Sequence, residues 1–281
     1  MTKTILITGT SSGYGKAMAQ LFLDHGWNVI ATMRRPDPRV FVTASNRLLV
    51  LPLDVTDARS IDKAIADGIA AFGGIDVLVN NAGIGLASIV EATSDTIVRE
   101  IFETNTFGVL ATCRAIIPQM RKQGHGTIIN VTSSATIGVM PLVAVYTASK
   151  CAVEGFTESL SYELESFNIK ARLVEPGYAP TTNFSVNSGP RIQGLIPADY
   201  GSFAQSCFAN MANYPTAFCT EAEVAEATYS AATDESRAIR YPAGADTKLL
   251  AKLRWTTSED HYLKTMRGMF GPQPKGALAS A

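Results

Sequence analysis

The chain has 281 residues, 46% hydrophobic and 17% charged, with 24 basic and 25 acidic side chains and a net charge of −1. This is a globular composition, long enough to bury a large core, and it has no basic block to attract nucleic acid or an acidic membrane. It holds no apolar run of 18 residues to span a bilayer, and the three apolar residues Ile5 to Ile7 are too few for a secretory signal, so a cytoplasmic location is expected.

Apolar runs alternate with helical periods along the chain. Lys3 to Thr8 reads as a buried strand that stops at Gly9, and Gly13 to His25 as a helix ending at Gly26. Further strand-like runs are Asn28 to Met33, Arg47 to Leu53, Ile75 to Asn80, Thr127 to Val131 and Lys170 to Glu175. Most lack polar alternation, as strands covered on both faces should. Helical segments fit between them at Ala58 to Phe72, Thr96 to Gln123 and Val145 to Phe167. Strand and helix in this order predict an α/β fold, a doubly wound parallel sheet of Rossmann type.

Pro176 to Thr220 breaks the rhythm with prolines, glycines and aromatics, including Tyr178, Phe184, Phe203, Tyr214 and Phe218. Such a long irregular stretch inside a domain predicts an ordered substrate lid at about 180–219. One domain over residues 1–271 is expected, with a frayed tail over 272–281. Cys113, Cys151, Cys207 and Cys219 form no C-x-x-C pair, and His25, His125 and His261 lack ligand spacing. Reduced thiols and no metal are expected.

The stretch TGTSSGYG, Thr8 to Gly15, joins the first strand to the first helix. A glycine-rich turn there lets backbone approach a pyrophosphate at the positive end of the helix; glycines serving a tight turn alone are the alternative. Tyr146 and Lys150 stand at i and i+4, on one face of a helix. Alone, that pair is an ordinary feature of amphipathic helices.

The chain resembles the short-chain dehydrogenase/reductase family, motif by motif and in order. Thr8-Gly9 through Gly13 and Gly15 match T-G-x-x-x-G-x-G, and Asp54 follows the third strand. Asn80-Asn81-Ala82-Gly83 matches N-N-A-G, and Asn105 matches the family's helix asparagine. Ser133 precedes Tyr146 by the usual separation, Tyr146 and Lys150 form Y-x-x-x-K, and Pro176-Gly177 with Thr181 match P-G-x-x-x-T. The match runs from Lys3 to about Thr182. The RYPAG stretch, Arg240 to Gly244, looks like the 17β-hydroxysteroid-dehydrogenase-like branch. Tyr14 stands where isoleucine is usual, and the short, proline-bearing RRPDPRVFVTASN implies a reduced helix between strands two and three.

The resemblance implies a catalytic set of Asn105, Ser133, Tyr146 and Lys150. A nearby cation is expected to lower a phenol by about 1–3 pKa units, so that Tyr146 gives a proton to a carbonyl oxygen as hydride reaches carbon, or takes one in reverse. Ser133 would hold that oxygen. Asn105 would hold a water linking Lys150 to solvent, and Lys150 would also bind the nicotinamide ribose. The implied cofactor-binding set is Gly9, Ser11, Ser12, Gly13, Tyr14, Arg34, Asp54, Val55, Asn81, Ala82, Gly83, Tyr146, Lys150, Pro176, Gly177, Ala179 and Thr181. Structural readings stand beside these: Ser133 as a turn residue, Asn105 as a helix cap or kink, Asn81 satisfying buried backbone, Asp54 solvated.

At the end of the second strand the family's NAD-selecting acid is replaced by Met33, followed by Arg34 and Arg35. A guanidinium suits a 2′-phosphate, which predicts NADP(H); two solvated arginines are the alternative. An apolar pocket is expected from Ala135, Val139, Leu142, Val145 and Tyr178. The expected activity is NADPH-dependent reduction of a ketone or aldehyde, reversible to alcohol oxidation, by a homodimer or homotetramer. An NAD-linked alcohol dehydrogenase and a non-catalytic dinucleotide sensor are the other readings of the same fold.

Overall fold

The computed structural model describes residues 2–41, 45–182, 188–189, 191–213 and 217–271. The expected tail at 272–281, the lid residues 183–187 and 214–216, and with them Phe184 and Tyr214, lie outside the described residues.

Seven parallel strands form one sheet in the order β3-β2-β1-β4-β5-β6-β7. They are β1 (Thr4–Thr8), β2 (Asn28–Met33), β3 (Leu48–Pro52), β4 (Val77–Asn80), β5 (Gly126–Val131), β6 (Ile169–Pro176) and β7 (Arg240–Ala243). The seventh comes from the RYPAG stretch, which carries too little apolar sequence to read as a strand before its pairing with β6 is seen. The helices are α1 (Gly13–Asp24), α2 (Ala58–Phe72), α3 (Asp95–Phe102), α4 (Gly108–Gln123), α5 (Ser134–Ile137), α6 (Ala144–Glu165), α7 (Gly201–Ala212), α8 (Glu221–Thr233), α9 (Ala245–Thr256) and α10 (Glu259–Phe270).

Strand side chains alternate between two cores. Ile5, Ile7, Val29, Ala31, Val77 and Val79 pack with Met18 and Phe22 of α1 and Val224 of α8. Leu6, Ile30, Leu78 and Ile128 point the other way, against Ile61 and Ile65 of α2, Ile116 of α4 and Val153 of α6. Both faces are therefore apolar, which is why the strands read as continuous hydrophobic runs. Each such buried side chain contributes roughly 1.5–3 kcal/mol.

One sequence expectation changes. The helix expected from Thr96 to Gln123 is interrupted: Glu103–Phe107 winds as a π segment between α3 and α4. Within the segment expected to form a lid lies the helix α7, whose Ala204 and Cys207 pack with Leu142 and Ile89. Between β2 and β3 the described residues hold a 3₁₀ turn, Pro38–Val40, N-capped by Asp37, in keeping with the reduced helix that the sequence implies.

Arg172 of β6 is 1% exposed. Its guanidinium donates to the Ala231 carbonyl at 2.5 Å and the Ser236 carbonyl at 2.7 Å, and it lies over the Tyr241 ring. It thus ties the C-terminal end of α8 to the sheet. Arg172→Met leaves the buried Ala231 carbonyl without this donor, and a loss of about 1–3 kcal/mol is expected in urea unfolding. A change below about 0.5 kcal/mol would contradict this role.

Candidate active site

The sheet order reverses between β1 and β4, and a doubly wound sheet opens a ligand crevice at the carboxyl ends of its strands at such a point. Six of the motif positions lie at carboxyl ends: Gly9 beyond β1, Arg34 beyond β2, Asp54 beyond β3, Asn81 beyond β4, Ser133 beyond β5, and Gly177 beyond β6.

The glycine-rich turn is sterically constrained. Gly9 has φ +72°, and a Cβ there would meet Ala82 Cα at 2.9 Å; at Gly15 it would meet the Gly9 carbonyl oxygen at 2.2 Å. Asn81 braces this turn. Its amide donates to the Thr8 carbonyl at 2.8 Å and the Gly9 carbonyl at 3.1 Å. The Thr8 hydroxyl accepts from the backbone N–H groups of Asn81 and Ala82, both at 3.0 Å. Asn81 therefore satisfies two backbone carbonyls of the turn and holds the glycine loop in place.

Ser12, the N-cap of α1, is extended and makes no side-chain cap, while Ser11 is exposed. The helix N-terminus thus keeps first-turn N–H groups that no side-chain cap occupies. Tyr14 donates to the Gly177 carbonyl at 2.8 Å, so the departure from isoleucine pins the β1 turn to the β6 turn. Burial and its acidic neighbours hold the Tyr14 phenol far above its ordinary range. Arg34 and Arg35 are exposed. Asp54 Oδ1 accepts from the Thr56 N–H and hydroxyl, and Val55 is buried beneath it. Pro176, Gly177 and Ala179 are buried, whereas the Thr181 hydroxyl donates to the Glu221 carboxylate at 3.0 Å. The cramped glycine turn, the uncapped helix end and the exposed arginine fit a dinucleotide phosphate chain.

The four catalytic candidates come together. Asn105 sits in the π segment, fully buried; π turns are frequent at functional sites. Its side chain accepts from the Ile84 N–H at 2.8 Å and donates to the Ile84 carbonyl at 2.9 Å and the Ser149 hydroxyl at 3.2 Å. Lys150 is 4% exposed and donates to the Val131 carbonyl at 2.9 Å. Gly83 lies between these two: a Cβ on it would fall 3.3 Å from Asn105 Oδ1 and 3.4 Å from Lys150 Nζ. Ser133 caps α5 through the Ala135 N–H and is hydrogen-bonded to Tyr146.

Burial pushes the Tyr146 phenol up to about 12, against the opposing effect of the Ser133 hydrogen bond. This corrects the expectation of a phenol lowered by Lys150. The reason is the burial of the phenol itself; Lys150, drawn down to about 8 by its own burial with Glu154 partly offsetting, donates to the Val131 carbonyl. Tyr146 is therefore protonated at neutral pH, the form that donates.

Of the expected pocket, Ala135 and Val145 cluster with Tyr146, Leu86, Ile101 and Leu195. Leu142 packs with Ile89 and with Ala204 and Cys207 of α7, and its backbone is left-handed at φ 67°. Val139 and Tyr178 are about half exposed, the latter edge-on to Phe218 at 5.6 Å. Sequence reading missed Leu86, Leu195 and Ser149. The first two lie in loops whose contacts only the fold supplies. Ser149, three residues from Tyr146, was legible from helical spacing.

Among the described residues, no group of three or more His, Cys, Asp or Glu could hold a metal, and no helix is long and apolar enough to cross a membrane. Residues 3–191 match the family model for short chain dehydrogenase. An uncharacterised oxidoreductase of Schizosaccharomyces pombe is 35% identical over 239 residues, 85% of this chain and all of that protein. The structure of ElxO with NADP bound is similar at 27% identity and TM-score 0.72, covering 86% of this chain and 98% of that one. A 3-ketoacyl-(acyl-carrier-protein) reductase from Brucella melitensis complexed with NADH gives 25% and 0.71, covering 87% and 98%. With its seven-stranded parallel sheet and its motifs at the strand ends, the chain belongs to the short-chain dehydrogenase/reductase family of oxidoreductases.

Proposed function

We propose that this protein reduces an apolar ketone or aldehyde to an alcohol with NADPH, reversibly, as a homodimer or homotetramer. The convergence of Tyr146, Ser133, Lys150 and Asn105 carries this reading. The glycine turn and the N-terminus of α1 hold the pyrophosphate, and Arg34 the 2′-phosphate. Bound there, NADPH supplies hydride to the carbonyl carbon. Ser133 orients the carbonyl oxygen beside the phenol, Tyr146 gives it a proton, and Lys150 with Asn105 carries the replacement. Leu86, Ala135, Val145 and Leu195 provide an apolar wall, and the 180–219 segment acts as a lid, tethered where Arg191 pairs with Glu100 at 2.8 Å.

Oxidation of NADPH over a panel of ketones graded in size tests the reading. Turnover that rises with apolar size supports it. A protein that binds NADPH and turns over no carbonyl is the dinucleotide sensor instead. The reaction should also depend on pH. Lys150 keeps its proton below about 8 and loses it above, so kcat/KM for reduction is expected to fall as pH rises through that value. A profile flat well beyond it would remove Lys150 from the proton path.

A further inference from the structure

The sequence offers no motif beyond Lys150 on α6, yet one turn later Glu154 is 8% exposed and faces the serine loop. Its Oε1 accepts from the Thr132 hydroxyl at 3.1 Å and lies against the Thr136 hydroxyl. These two threonines flank Ser133. Thr136 shares its hydroxyl between Glu154 and the Ser133 carbonyl, at 2.6 Å, and Thr132 is fastened to the sheet through its N–H on the Val174 carbonyl. The other oxygen of Glu154 takes Arg240 Nη1 at 2.9 Å. Arg240, on β7, also holds Glu158 at 2.7 Å and the fully buried Glu175, which stands immediately before Pro176-Gly177.

We infer that Glu154 is a positioning residue: its carboxylate, anchored by Arg240, clamps Thr132 and Thr136 and so fixes Ser133 against Tyr146. The inference rests on the role of Ser133 proposed above. A serine that swings loses its fixed distance to the substrate oxygen, and small misplacements of such groups are costly in rate. The anchor explains why three carboxylates gather on one guanidinium near the site. A buried carboxylate needs such partners, and here the partners come from β7, so the last strand of the sheet sets the geometry of a loop beyond β5.

The test is a double-mutant cycle between Glu154→Leu and Ser133→Ala, read as kcat for ketone reduction, with the NADPH dissociation constant measured alongside by fluorescence. Glu154→Leu alone is expected to lower kcat about tenfold or more, with the cofactor constant changed less than about twofold. In the Ser133→Ala background it is expected to cost less than about twofold, because there is no serine left to position. Glu154→Gln keeps a carbonyl oxygen for the threonines but turns an amide N–H toward Arg240, so it should recover part of the rate lost in Glu154→Leu. Thr132→Val with Thr136→Val removes the same clamp without touching the Arg240 anchor, and replaces Glu154→Leu in the cycle if that variant does not fold. Additive losses, or a loss of cofactor affinity in step with kcat, would overturn the role of Glu154 while leaving Ser133 catalytic. A Ser133→Ala enzyme with the wild-type rate would instead overturn the role of Ser133 and the clamp with it.

Discussion

Tyr146→Phe is expected to lower kcat for carbonyl reduction by about 10²–10⁴-fold, the range a positioned general acid contributes. The phenol is 9% exposed and hydrogen-bonded to Ser133, and burial keeps it protonated at neutral pH. Removing its hydroxyl deletes the proton donor and leaves the ring in its cluster with Val145, Leu86 and Leu195. Fold and cofactor affinity should therefore change little, which separates this loss from unfolding. NADPH titration and a thermal melt of the variant check that separation. Reduction surviving above a few per cent of wild type would show that another acid serves.

The second large effect concerns cofactor choice. Arg34 follows the last residue of β2 and is exposed at the carboxyl edge of the sheet. No acid occupies the position of Met33, so nothing there competes with a phosphate. A charge-assisted hydrogen bond is worth about 1.5–3 kcal/mol. At about 1.4 kcal/mol per tenfold, Arg34→Ala should lower kcat/KM for NADPH roughly ten- to a hundredfold and leave that for NADH nearly unchanged. Adding Met33→Asp should go further, by repelling the phosphate and offering the free 2′-hydroxyl an acceptor. Arg35 is also exposed, and a shared contact would soften the single substitution without changing its sign. Equal harm to both cofactors would mean that Arg34 is a solvated strand-end residue.

Much of the framework was legible because parallel strands buried on both faces write themselves as apolar runs, and six of the seven strands did so. β7 did not: RYPA is short, carries a proline and is only partly buried, so its strand character comes from pairing with β6. The π segment at Asn105 was hidden for a related reason. Local propensity over 96–123 favours one continuous helix; what winds Glu103–Phe107 differently is the fit of the Asn105 amide to both backbone groups of Ile84, twenty-one residues away. The catalytic set was legible as a family pattern, each residue at the end of a strand or one turn along a helix. Its support was not. The Asn81 amide also braces the glycine turn and Glu154 is buried against two threonines, contacts that only the fold supplies. The Tyr146 phenol followed the same rule. Helical spacing places a cation one turn away, but the burial of the phenol sets its direction. Leu142, expected as pocket wall, also packs with Ala204 and Cys207 of α7, a contact that only the fold supplies.

The most direct measurement is single-turnover reduction of a ketone with NADPH deuterated on its transferable hydrogen, followed by mass spectrometry of the product, for wild type and Tyr146→Phe side by side. The account predicts deuterium on the carbinol carbon from the wild type, and almost no product from a variant that still binds NADPH. Product alcohol without deuterium, or equal labelled product from both proteins, would contradict it.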